Sequence, residues 1–507
     1  MIPTNSPALA PLLFLLGGLL VPLAALKFRR SPFPLAAAFT AAAAAVSVHN
    51  VFRVLEVGTL RYRFGGWLPP IGIEYVLDPL SAFITAVINV IALLVLIHAR
   101  LTVASEIPER KHGPYYALIM LMMTGFNGIV LTGDFFNLYV FLEIASLSLY
   151  GLIAVGDRKS PVAAFRYLVI GMVGGCFYLL GVGFLYINSG SLNMADLKAI
   201  LPLLGAGPEI IVALCFMVLG FGVKMALFPL HGWLPDAYTY APTATSALMA
   251  PIGTKIGAYG LLRVLFFVFG LNFVTRTVPL AQAISWLAAA GILYGSIMAM
   301  AQDELKRLLA FSSIAQVGYI GLGIGLANPL GLLAAVLHVL NHGLMKACLF
   351  LAAGNFRLKL GHSRIPALDA GVRRRMPWTS AAFTLAALSM IGLPPTVGFF
   401  SKWYLALATI RNRSWVFLAV ILASSLLNAV YFFRVIERLY LKPAGREDET
   451  RSAPVAPSSV RGEVAASMLL PTLVLAASLI VIGLLNVLII KGLLVRILPP
   501  GMEAALP

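Results

Sequence analysis

Four lysines stand inside apolar runs long enough to cross a lipid bilayer. They are Lys224 in IVALCFMVLGFGVKMALFPL, Lys255 in TSALMAPIGTKIGAYGLLRVLFF, Lys346 in GLLAAVLHVLNHGLMKACLFLAAG and Lys402 in FTLAALSMIGLPPTVGFFSKWYLALA. Glu143, in FFNLYVFLEIASLSLYGLIAV, joins them. An ammonium at mid-membrane costs at least about 2.5–3.5 kcal/mol on insertion scales, so such groups mark ion or proton pathways. Desolvation favours the neutral forms of a buried lysine and glutamate and pairing favours the charged forms, so Glu143 and Lys224 are expected to change protonation as their separation changes. The competing reading is a set of static ion pairs. A lysine that merely snorkelled would sit at the end of its span, whereas Lys224, Lys255 and Lys346 fall near the middle of theirs.

His338, His342 and Lys346 recur at i, i+4 and i+8, a spacing that lines one helix face at a rise of about 6 Å per step. Imidazoles both donate and accept, so the face suits a proton wire. Two histidines at i, i+4 could instead hold zinc, but HVLNH lacks the glutamate of H-E-x-x-H and a lysine follows on the same face. Ordinary hydrogen bonds to neighbouring helices are the third reading. His231 and Asp236, in PLHGWLPDAYTYAP, either hold a turn between helix segments or take up protons. Asp134 stands where a helix N-cap is expected, nine residues before Glu143.

These residues need a membrane scaffold. The 507-residue chain is 60% hydrophobic and 11% charged, which predicts an all-α polytopic membrane protein. Its formal charge of +17 is scattered between apolar segments and not gathered on a soluble face, which argues against nucleic acid as a partner. Cys176, Cys215 and Cys348 lie singly in apolar stretches, without the spacing of zinc, iron–sulfur or haem sites. No phosphate-binding loop, dinucleotide fingerprint or nucleophile elbow appears, so neither a cofactor nor covalent chemistry is expected on this chain.

Apolar runs predict fourteen spans, near 8–26, 33–55, 79–99, 115–133, 135–155, 162–187, 209–230, 242–269, 279–300, 307–327, 330–355, 378–409, 414–441 and 465–489. No basic residue precedes the first run, and Lys27, Arg29 and Arg30 follow it, the reverse of a secretory signal. The N-terminus is therefore expected outside, and with an even number of spans the C-terminus too. That orientation puts 23 basic residues on the inner connections against nine outside, as the positive-inside rule requires.

Residues 56–78 alternate and carry Gly-Gly and Pro-Pro, which predicts an outer hairpin. Residues 442–464, rich in Pro, Ser and mixed charge, predict an inner linker. The organisation expected is one transmembrane domain over 1–507: an N-terminal three-span region at 1–111, one repeat at 112–269, a second at 279–441, the linker, and a last span with an outer tail at 465–507. Proline breaks the seventh and twelfth spans near Lys224 and Lys402. An offset of five spans inverts orientation, as inverted repeats of spans 4–8 and 9–13 require.

HGWLPDAYTYAPTATSALMAPIGTKIGAYGLLRV resembles the antiporter-like membrane subunits shared by Mrp sodium/proton antiporters, respiratory complex I and membrane-bound hydrogenases. So do DFFNLYVFLEIASL, FGVKMALFPLHGWLPDA, LKRLLAFSSIAQVGY, HVLNHGLMKACLFLAAG and GLPPTVGFFSKW, over nearly the whole chain. The resemblance implies fourteen helices with two inverted five-helix repeats. It also implies a proton path through Glu143 paired with Lys224, Lys255, His338, His342, Lys346 and Lys402, and membrane subunits as partners in the cell membrane. Lys402 and Gln316 favour the D-type subunit of Mrp antiporters, which exchange protons for cations such as sodium. Service as the ion-pumping limb of a hydrogenase or NADH/quinone oxidoreductase is the alternative, and a scaffold with static charge pairs a further one.

Overall fold

The computed structural model describes residues 5–28, 31–443, 462–499 and 502. Most of the expected linker, the basic residues Arg29, Arg30, Arg446, Arg451 and Arg461, and the end of the tail lie outside the described residues. The chain is a bundle of membrane-length helices. Among the described residues thirteen are long and apolar enough to cross a bilayer: Ser6–Lys27, Pro32–Val57, Pro79–Glu106, Glu109–Leu131, Phe135–Ala154, Ser160–Ser189, Pro208–Met225, Thr243–Phe269, Leu280–Met300, Leu305–Gly325, Pro329–Leu360, Trp415–Tyr440 and Ala466–Leu484. An interrupted pair, Pro377–Ile391 and Val397–Arg411, stands where the twelfth of fourteen spans is predicted. Crossings are numbered below in this order, the pair being the twelfth.

Local chemistry sets where the helices begin. Asp78 and Ser81 form a reciprocal capping box at the third crossing, and Asp134 accepts the backbone N–H of Asn137 at the fifth. The cap is thus what Asp134 does. Depth in the bundle follows apolar composition and small residues. The tenth and eleventh crossings are buried along their whole apolar length, whereas the first, second and thirteenth are only a third buried and present a broad apolar face outward. A Cβ at Gly295 would lie 2.6 Å from the Ala315 backbone nitrogen, so the ninth and tenth crossings touch backbone to backbone.

The expected hairpin is present: β1 (Leu60–Arg63) pairs antiparallel with β2 (Glu74–Leu77), Leu60 facing Leu77. A bridge from Tyr75 to Thr132 ties it to the chain just before the fifth crossing. Short helices outside the predicted spans include Met194–Leu204 between the sixth and seventh crossings, capped by Asn193, and Ala370–Arg375 before the twelfth.

The two breaks have one geometry. After Met225 the seventh crossing ends at Ala226 in the left-handed region (φ 60°), Leu227 N–H bonds back to the Gly222 carbonyl at 2.8 Å, and Leu230 N–H to Leu227. After Ile391 the twelfth ends at Gly392 (φ 95°), Leu393 N–H bonds to Leu388 at 3.2 Å, and Thr396 N–H to Leu393. Both are Schellman-type ends followed by a cis X-Pro peptide, Phe228-Pro229 and Pro394-Pro395. Glycine adopts this conformation freely, whereas an alanine at Ala226 costs about 1–2 kcal/mol. Lys224 therefore lies in the last helical turn before a break and not at the centre of an unbroken helix.

Candidate functional site

The fifth and seventh crossings bring Glu143 and Lys224 together with 4.0 Å between Oε1 and Nζ, too long for a hydrogen bond. The ammonium instead donates to Ser146 Oγ at 2.8 Å, and Glu143 Oε1 has no hydrogen-bond partner. A cavity of about 30 Å³ lies beside Lys224, lined by Ser146, Tyr167, Phe221, Trp233 and Gly257, with room for a water molecule. A Cβ at Gly257 would stand 2.6 Å from Met225 N, so the eighth crossing packs directly on the broken end of the seventh.

Lys255 follows a π-helical stretch, Met249–Gly253, in the eighth crossing, and its Nζ donates to the Ala250 carbonyl at 2.5 Å. Widened turns of this kind occur often at functional sites. Lys346, fully buried, donates to the Leu309 carbonyl at 2.6 Å and to Ser312 Oγ at 2.5 Å. The expected face of the eleventh crossing is formed. The His338 and His342 rings lie 5.8 Å apart at 18°. His338 is held between Ser401 (2.8 Å) and Gln316 (3.0 Å), so both its ring nitrogens are engaged. Neither ring nitrogen of buried His342 has a partner.

Lys402 closes the series. Its Nζ donates to the carbonyls of Met390 (2.8 Å) and Ile391 (3.0 Å), last-turn groups that the break leaves without helical partners, and stands 5.0 Å over the Tyr319 ring. Tyr319 also packs on His338, and Ser401 is the neighbour of Lys402, so the eleventh and twelfth crossings are joined by polar contacts. Among the described residues no carboxylate lies within ion-pair distance of Lys255, Lys346 or Lys402. Static pairing therefore fits Lys224 alone.

His231 is buried in the turn after the seventh crossing, stacked on Phe228 and against Tyr294. Asp236 is clamped by Arg166 (2.7 Å) and Arg307 (2.9 Å), which suits holding the turn better than carrying protons. Both arginines are partly exposed, so Asp236→Asn is expected to cost no more than about 1 kcal/mol and to leave transport intact, measured as thermal stability and flux of the same preparation.

Two buried charges escaped the sequence reading. Lys306, at the start of the tenth crossing, is 2% exposed and donates to the Ala241 carbonyl at 2.6 Å. Arg263 makes two 2.5 Å bonds to the capping carboxylate of Asp78, and its Nε donates to Tyr259 Oη. Burial alone would raise the Asp78 pKa, but the Arg263 charge and the bonds from Arg263 and Ser81 hold it below the ordinary value. The sequence signal for Arg263 was its place inside the eighth apolar run; nothing marked its partner, 185 residues earlier.

A bundle of about fourteen crossings, two of them broken beside buried lysines, defines an antiporter-like polytopic membrane subunit. Residues 132–428 match the family described as NADH:quinone oxidoreductase/Mrp antiporter, TM, and the chain belongs to that family. It is 49% identical to NADH-quinone oxidoreductase subunit N of Desulforudis audaxviator, over 96% of this chain and 98% of that one. To the D-type subunit of the Na(+)/H(+) antiporter of Alkalihalophilus pseudofirmus it is 32% identical, over 77% of this chain and 78% of its relative. A chain in the structure of the membrane-bound sulfane sulfur reductase, an archaeal respiratory membrane complex, superposes with a TM-score of 0.87 at 28% identity, covering 98% of this chain and 97% of that one.

Proposed function

We propose that this chain is the proton-translocating subunit of a multisubunit complex in the cell membrane, with protons passing from the inner side near His231 and Lys224 through Lys255 and the face of Lys346, His342 and His338 to Lys402 and the outer side. The observation that carries the reading is the run of buried Lys255, Lys346 and Lys402, held by carbonyls and hydroxyls without counter-ions. A permanent ammonium is expensive there, and an exchangeable proton gives the expense a use. The loose Glu143–Lys224 pair supplies the gate: when the two close, the charged form of Lys224 is favoured, and when they part its proton moves on. The shared geometry of the two breaks supports duplication, with inverted repeats over 112–269 and 279–441.

Lys402 and Gln316 favour exchange of protons for sodium in an Mrp-type antiporter. A second host reading, a redox-driven NADH/quinone or hydrogenase-like pump, is favoured by the 49% identity to a chain named as a quinone oxidoreductase subunit. Reconstituting the native complex in liposomes with an internal pH dye separates them. Proton movement on imposing a sodium gradient alone is the result expected of the exchanger. Movement only on adding electron donor and quinone selects the redox pump, and no proton movement under either condition overturns translocation.

A further inference from the structure

The fifth crossing carries a second buried oxygen without a partner. Tyr150 is 5% exposed, and its hydroxyl makes no hydrogen bond. It lies seven residues after Glu143 and four after Ser146, so the three share one helix face, about 10 Å from end to end. Ser146 Oγ, which accepts from Lys224 and donates to the Leu142 carbonyl, stands one turn before Tyr150 and makes no hydrogen bond with its hydroxyl. An unmatched buried hydroxyl costs about 1–3 kcal/mol and calls for a partner such as water.

The sixth crossing leaves room for these groups. A Cβ at Gly171 would stand 2.2 Å from Tyr150 Oη, and one at Gly175 would stand 2.4 Å from Glu143 Oε1. Two glycines one turn apart thus form two notches, each filled by an unpartnered oxygen of the fifth crossing. Tyr167, one turn before Gly171, packs edge-on against Tyr150 at 4.8 Å and stacks on Trp233 at 3.9 Å. Tyr167, Trp233, Ser146 and Lys224 also line the water-sized cavity.

We infer that Tyr150 is a proton relay to Lys224, along the seam between the fifth and sixth crossings and fed by water from the end bearing Asp157 and Arg158. The inference rests on the proposed translocation through Lys224. In the relay step Tyr150 Oη passes its proton through Ser146 or an intervening water to the free amine of Lys224. In the same step it accepts a proton from a water on the Asp157 side. One O–H bond breaks and one forms at the phenol oxygen, which carries no net charge before or after. Lys224 gains one proton, and the water chain, which gives one up to the phenol oxygen, recovers it from the bulk solvent at the Asp157 end.

The test is proton flux of the reconstituted complex as a function of pH. Tyr150→Phe removes only the hydroxyl. It is expected to lower maximal turnover about tenfold or more, within the range of lost proton-transfer groups. The half-saturating proton concentration, set by Glu143 and Lys224, should stay unchanged, and so should assembly and thermal stability. Wild-type turnover in Tyr150→Phe overturns the inference. A shift in half-saturation that accompanies the loss does so too, because it would mean that the helix carrying Glu143 had moved. Gly171→Ala should lower turnover by displacing the hydroxyl, and Tyr150→Phe with Gly171→Ala should be no slower than Tyr150→Phe alone, since the methyl then occupies vacated space. A double variant well below both singles overturns the notch argument. Lys224→Ala run beside these keeps the two ideas apart: if it is inactive while Tyr150→Phe is normal, only the relay fails, and if it transports normally the translocation reading fails as well.

Discussion

Lys224→Ala is expected to abolish proton flux by the assembled complex, lowering it about 10²-fold or more, the scale on which a positioned acid–base group contributes. The amine lies 4.0 Å from Glu143 and donates to Ser146 at 2.8 Å, so it touches both the proposed gate and the helix face that carries Tyr150. The same substitution strands the Glu143 carboxylate, whose Oε1 is already unpartnered in a glycine notch. Removing one member of a buried pair costs about 3–5 kcal/mol, so loss of flux alone does not separate a proton carrier from a static pair. Glu143→Gln with Lys224→Met makes the separation. With both charges gone, thermal stability should return close to wild type while flux stays absent. Recovery of flux with stability would show the pair to be structural and would sink the gating mechanism.

The sequence carried much of this site because a membrane makes buried charge conspicuous. Lys255, Lys346 and Glu143 stood out against apolar neighbours, and helical spacing alone placed His338, His342 and Lys346 on one face of the eleventh crossing, where the two histidine rings lie 5.8 Å apart. Proline showed that the seventh and twelfth crossings break. It did not show that the breaks share a hydrogen-bond pattern, because that depends on the residue in the left-handed region three positions before the proline, an alanine in one case and a glycine in the other. The burial of Lys306 was not legible for a related reason. At the end of an apolar run a lysine bound for solvent and one folded onto the Ala241 carbonyl look alike. The Asp78–Arg263 pair and the notches at Gly171 and Gly175 depend on which helices adjoin and how each is rotated, and local spacing does not encode either.

Gly398→Ala tests whether the second break, and not the lysine alone, sets the end of the path. Gly398 opens the second half of the twelfth crossing, and a Cβ there would stand 1.8 Å from the backbone carbonyl oxygen of Ser389 in the first half. Neither atom is the end of a flexible side chain, so the methyl fits only if the half-helices part by more than an ångström. Overpacking of this kind costs about 1–3 kcal/mol. The strain falls on one contact in particular, since Lys402 Nζ spans the same gap to the Met390 and Ile391 carbonyls at 2.8 and 3.0 Å, both within the usual range for a hydrogen bond. Moving the halves apart loosens those bonds and shifts Ser401, and with it the His338 contact. Gly398→Ala should therefore lower the melting temperature and cut flux about tenfold or more although it removes no ionisable group. Ser401→Ala, which deletes the hydroxyl and leaves the break closed, should cost less on both measures. If Gly398→Ala melts and transports as the wild type does, the two half-helices are not held as this structure has them, and the place of Lys402 at the end of the path loses its support.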